Sequence, residues 1–98
     1  MQFGWFDARE AKDFGVSLAE TLAKNLATSE KKRESAAKRS QLLQKLFVQV
    51  RQFKQTHKLN FYKRAKIGNS FKWKLIELGF ERKLVDELTH ELMLRISA

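Results

Sequence analysis

Apolar residues return along this chain at the three-to-four-residue interval of an α-helix, in four separate stretches. In the first, Ala11, Phe14, Leu18, Leu22 and Leu26 fall on one side with Gly15 and Ala19 beside them, while Asp13, Glu20 and Lys24 fall opposite and Lys12 lies on a flank. Asp7 followed by Glu10 reads as an Asp-x-x-Glu capping box. Phe6 stands just before it, where a hydrophobic staple to Ala11 would form. The pattern predicts a helix over about 7–27. The next stretch, "TSEKKRESAAKRSQ", has only Ala36 and Ala37 as apolar residues and contains neither Gly nor Pro. Residues 28–41 therefore read as a charged helical extension or a linker, with a loop near Ser29 and a second helix over about 30–58 that gains a core face only from Leu42. That face holds Leu43, Leu46, Phe47, Val50, Phe53 and His57, with Lys38, Lys45 and Gln52 opposite and Arg51 and Lys58 on a flank.

Asn60 reads as a boundary and an N-cap. Beyond it, Gly68-Asn69-Ser70 is a turn signal. A continuous helix over 61–78 also fits, because Phe61, Ala65, Gly68, Phe71, Leu75 and Leu78 form one coherent face. Gly79 and Phe80 end it as a glycine C′ residue and its hydrophobic contact. In the fourth stretch Leu84, Val85, Leu88, Leu92 and Ile96 make a stripe over about 81–97. The expectation is an all-α fold: one small four-helix bundle-like domain over residues 1–98, with a long, basic second helix. Its core would include Leu18, Leu22, Leu46, Val50, Phe53, Phe71, Leu75, Leu88 and Leu92.

Composition supports this and narrows the function. With 43% hydrophobic residues, the 98-residue chain can bury one modest core. The absence of Pro and the scarcity of β-branched residues favour helix over sheet. No run approaches a membrane span of roughly 20 apolar residues. The start, "MQFGWFDAREAKDFG", has neither a basic opening nor an apolar region, so no secretory leader is expected. The lack of Cys removes disulfides and thiolate metal sites and fits a cytoplasmic protein.

The charge of +9 is uneven. Residues 1–30 and 75–98 each carry net −2, whereas 31–74 carry fourteen bases against Glu34 alone, net +13. Such blocks speak of partners.

Enzyme chemistry finds little support. Glu87-x-x-His90 has the spacing of di-iron carboxylate bundles, but both residues project away from the Leu84–Leu88–Leu92 stripe, which reads as a solvated face. His57 is the only other histidine and reads as a core-edge residue. There is no G-x-S-x-G and no phosphate-cradling glycine loop. No catalytic residue, metal site or cofactor is expected.

The stretch "KQTHKLNFYKRAKIGNSFKWKL" sets six lysines and one arginine among four aromatic rings without an acid. On a continuous helix, Tyr62, Lys66, Asn69 and Trp73 line up a quarter turn or more from the apolar face. They form either a binding ridge or a second packing face. A helix-turn-helix fits poorly: Gly68 in the turn puts Arg64 where a small residue belongs, and Lys74 and Glu77 where burial is needed.

Two functions follow. The first is a non-catalytic, nucleic-acid-associated protein that contacts backbone phosphate with little sequence specificity. Its candidate residues are Lys31, Lys32, Arg33, Lys38 and Arg39, then Lys58, Lys63, Arg64, Lys66, Lys72 and Lys74, with Tyr62 and Trp73. The second is a helical protein–protein interaction module, a homo-oligomer or an adaptor that meets an acidic protein. The N-terminal Phe3, Trp5 and Phe6 are expected to fold back over the bundle rather than to meet a lipid surface, because the first helix is itself net negative.

Overall fold

A computed structural model describes residues 5–24 and 36–97, with the side chains of 5–8, 36–39 and 42 outside that description. Four helices follow one another: α1 (Trp5–Lys24), α2 (Ala36–Thr56), α3 (Phe61–Glu77) and α4 (Arg82–Ser97). The architecture is an all-α, four-helix bundle-like fold, with no strand among the described residues. No described helix is long and apolar enough to cross a membrane.

The helix limits follow from local chemistry. Asp7 was expected to cap α1, but the helix begins at Trp5 and Asp7 lies inside it. Nothing between Trp5 and Asp7 blocks helical backbone, so the chain winds earlier than the cap signal. Of the charged stretch 28–41, the described part is the opening of α2 rather than a linker. The loop expected near Ser29, and Lys31, Lys32 and Arg33 with it, lie outside the described residues. α3 is capped as its sequence suggested: the Lys63 N–H donates to Asn60 Oδ1 at 2.8 Å. It ends in a Schellman turn. The Phe80 N–H donates to the Leu75 carbonyl and the Gly79 N–H to the Ile76 carbonyl, both at 3.1 Å, with Gly79 at φ 94°. That left-handed backbone is one that glycine takes at least cost. Phe80 then buries itself under the bundle.

The turn signal at Gly68-Asn69-Ser70 does not break α3. Ser70 Oγ instead donates back to the Ile67 carbonyl at 3.2 Å. Gly68 serves packing: a Cβ there would run into the Met93 side chain of α4. Gly15 plays the same part on α1, where a Cβ would meet the Ile67 carbonyl oxygen and Ser70 Oγ of α3. The α1–α3 interface is the most extensive in the molecule, and α3–α4 comes next. α1 and α3 run in the same direction, since Lys12 shares a groove with Lys66 while Glu20, further along, reaches Lys74. α2 runs the opposite way against α1, with Phe14 stacked on Phe53 and Glu10 beside His57.

The core holds Leu18, Leu22, Leu46, Val50, Phe71, Leu75, Leu88 and Leu92 as expected, all of them buried. Each large apolar side chain so buried contributes about 1.5–3 kcal/mol. Three expectations change. Phe53 is only partly buried: it packs against the margin of the core, stacked between Phe14 at 4.0 Å and His57 at 3.9 Å. Phe61 is 80% exposed and Ala65 is exposed, whereas Ile67 is fully buried. The helical period explains the exchange: Phe61 and Ala65 sit about 80° and 120° from Phe71, while Ile67 sits about 40° from it.

Candidate functional site

The exit of α2, the entry of α3 and the last turn of α4 meet at one corner of the molecule. They enclose a groove of about 810 Å³ whose lining includes Lys54, Lys58, Lys63, Arg64, His57 and Ile96. Among the described residues, no carboxylate lines it. The turn between α2 and α3 is held in place from both sides. His57 stacks on Phe53, with ring planes 7° apart. Its Nδ1 lies 2.8 Å from Thr56 Oγ1 and 3.2 Å from the Phe53 carbonyl oxygen, and its Nε2 lies 3.6 Å from Glu10 Oε1. Thus His57 is the core-edge residue its sequence position suggested, and it fixes where Lys58 emerges. On the other side, Asn60 caps α3, and Lys63 Nζ donates to the Lys58 carbonyl oxygen at 3.0 Å.

This corner works against a local electrostatic rule. The N-terminal turn of a helix carries partial positive charge and favours acids. The first turn of α3 contains no acid and carries Lys63, with Arg64 directly after it. Positive side chains are thereby added to a positive helix end.

The basic surface continues past the groove. A neighbouring depression of about 340 Å³ shares Lys54 with it and adds Arg51 and Arg95. The Arg95 guanidinium lies over the Phe47 ring, 4.5 Å from its centroid, which holds that charge against α2. Sequence reasoning did not select Arg51, Lys54 or Arg95. Arg51 and Lys54 stood in the +13 block, Arg51 on the flank of α2. Arg95 was hidden in a block of net negative charge. A signal for it was present all the same: a short connection at Gly79-Phe80 folds α4 back along α3, which returns the end of α4 to the start of α3.

The remaining described candidates divide among three other places. Tyr62, Lys66, Asn69 and Trp73 form a ridge along α3, on the side away from its buried face. Tyr62 is 57% exposed and Trp73 55% exposed. Trp73 Nε1–H donates to Asn69 Oδ1 at 3.1 Å, and Lys72 Nζ lies 5.9 Å from the Trp73 ring centroid. Lys74 lies 3.9 Å from Glu20 of α1 and 3.4 Å from Glu77 on its own helix. Those two carboxylates offset its charge, so it adds little positive potential. Lys38 and Arg39 stand in the first turn of α2, and their side chains are outside the described residues.

Glu87 and His90 are both exposed on α4, and among the described residues no group of three or more metal-ligating side chains comes together. Compared with family models, with curated proteins and with solved structures, the chain matches none.

Proposed function

We propose that this protein binds nucleic acid without catalysis, through the phosphate backbone and with little sequence specificity. The observation that carries the reading is the corner groove, where Lys54, Lys58, Lys63 and Arg64 converge, continued by Arg51 and Arg95. Lys63 and Arg64 add positive charge to the positive N-terminal end of α3, and a polyanion is drawn to that end. The groove presents lysine and arginine heads rather than a shaped polar pocket, which suits a repeating backbone charge better than a base edge. The absence of cysteine and an intracellular polyanion as partner fit a cytoplasmic protein.

The test is binding of a labelled oligonucleotide, followed by fluorescence anisotropy as salt rises. Neutralising about four phosphates costs roughly 50- to 150-fold in affinity between about 50 and 200 mM salt. Charge reversal at Lys58 and Arg64 together is expected to flatten that dependence and to weaken binding at every salt concentration. Affinity that ignores salt would overturn the reading.

A second reading, docking onto an acidic protein, draws on Phe61, whose ring is 80% exposed beside the groove. It is favoured instead if an acidic protein binds and nucleic acid does not compete.

A further inference from the structure

We infer that the preferred ligand is single-stranded, because the ridge of Tyr62, Lys66, Asn69 and Trp73 is a stacking platform for unpaired bases. This rests on the backbone-binding reading and adds to it a second surface with a different task.

The geometry of α3 carries the argument. Positions 62, 66, 69 and 73 fall within about 60° of one another on the helical wheel, and the span from Tyr62 to Trp73 is about 16 Å along the axis. The two rings stand on the side of α3 opposite Phe71, which is fully buried. Large aromatic side chains gain most from burial, so two of them more than half exposed on one ridge are an unusual outlay of apolar surface. Trp73 is also fixed rather than free. Its indole N–H is satisfied within the helix by Asn69 Oδ1, so the polar edge of the ring is already paired. What the ring offers a ligand is its face, with Lys72 Nζ close by.

Charge gives the ridge a direction. Lys66 stands between the two rings, and Lys12 of α1 borders the adjacent groove of about 320 Å³. At the far end, Glu77 beside Lys74 closes the ridge with negative charge. At the near end, Tyr62 adjoins Lys63 and Arg64 of the corner groove. A strand laid from Trp73 past Lys66 to Tyr62 therefore runs into the most basic part of the described surface. Duplex phosphates can reach the corner groove as well as those of a single strand. The bases of a duplex, however, are stacked on one another, and their faces cannot meet Tyr62 or Trp73. Only an unpaired strand gains from both surfaces, and the gain carries no sequence preference because every base has a π-face.

The experiment compares an oligothymidylate of about 15 nucleotides with a blunt duplex of the same length, each labelled, at one low salt concentration. The wild-type chain is set beside Trp73→Ala and Tyr62→Ala, and circular dichroism confirms that both exposed-site variants fold. The single strand is expected to bind more tightly than the duplex. Each ring removed should weaken single-strand binding by roughly 5- to 150-fold and leave duplex binding unchanged. Equal affinity for both ligands in the wild type, or variants that weaken both or neither, would overturn the stacking platform while leaving the groove reading standing. If neither ligand binds, the groove reading falls too.

Discussion

Gly15 shows how one residue sets the spacing of the fold. In an open helix, replacing an interior glycine by alanine stabilises by about 1 kcal/mol, because glycine has more backbone freedom to lose. Here the added Cβ would meet the Ile67 carbonyl oxygen and come within 3.1 Å of the Phe71 amide nitrogen. Both are backbone atoms of α3 and cannot rotate away, unlike Ser70 Oγ. The overlap forces α1 and α3 apart along the largest interface of the molecule. Gly15→Ala is therefore expected to destabilise by about 1–3 kcal/mol, the usual range for overpacking, despite its better helix propensity. Urea denaturation of the two chains side by side measures this. A variant as stable as the parent would mean that the two helices can separate without loss.

At the scale of an element, α3 does two jobs at once, and its start is where they meet. Asn60 satisfies the Lys63 amide, so Asn60→Ala should cost about 1 kcal/mol and shift the thermal midpoint down by several degrees. The same change frees the turn that positions Lys58, Lys63 and Arg64, so binding should weaken further than the loss of stability alone explains. Thermal melts together with binding isotherms taken well below the midpoint separate the two effects. How far α3 was legible in the sequence follows from the same chemistry. Asn60 and Gly79 are strong local signals, and both ends fall where they indicated. Gly68 was ambiguous, because a glycine in a helical pattern marks either a turn or a close approach, and only the position of Met93 on α4 decides. Phe61 was misjudged for a related reason: its apolar character placed it on the stripe, but its angle from Phe71 leaves it on the margin. The candidate surface was half legible. A block of +13 announces positive potential, yet only the fold shows that Lys74 is balanced by Glu20 and Glu77, and it is the return of α4 along α3 that brings Arg95 to the basic corner from a net-acidic segment.

For the whole molecule, the same charges act in opposite senses on folding and on binding. The approach of Lys58 and Arg64 at the corner groove sets up a repulsion that raises the energy of the compact state, since the unfolded chain holds these charges further apart. Salt screens that repulsion over about 10 Å at 0.1 M, so the melting temperature should rise between low and moderate salt while oligonucleotide affinity falls. Arg64→Glu makes the opposition testable in a single chain. It places an acid near the N-terminus of α3, where the helix dipole favours one by about 0.3–1 kcal/mol, and it removes one member of the cluster. The melting temperature is expected to rise by about 2–5 °C as affinity drops roughly tenfold or more. That combination marks residues whose charge is kept for a partner rather than for the fold, the trade between stability and function seen at strained sites generally. A lower melting temperature with affinity unchanged would show instead that Arg64 holds the corner together, and its charge would then serve the fold rather than a ligand.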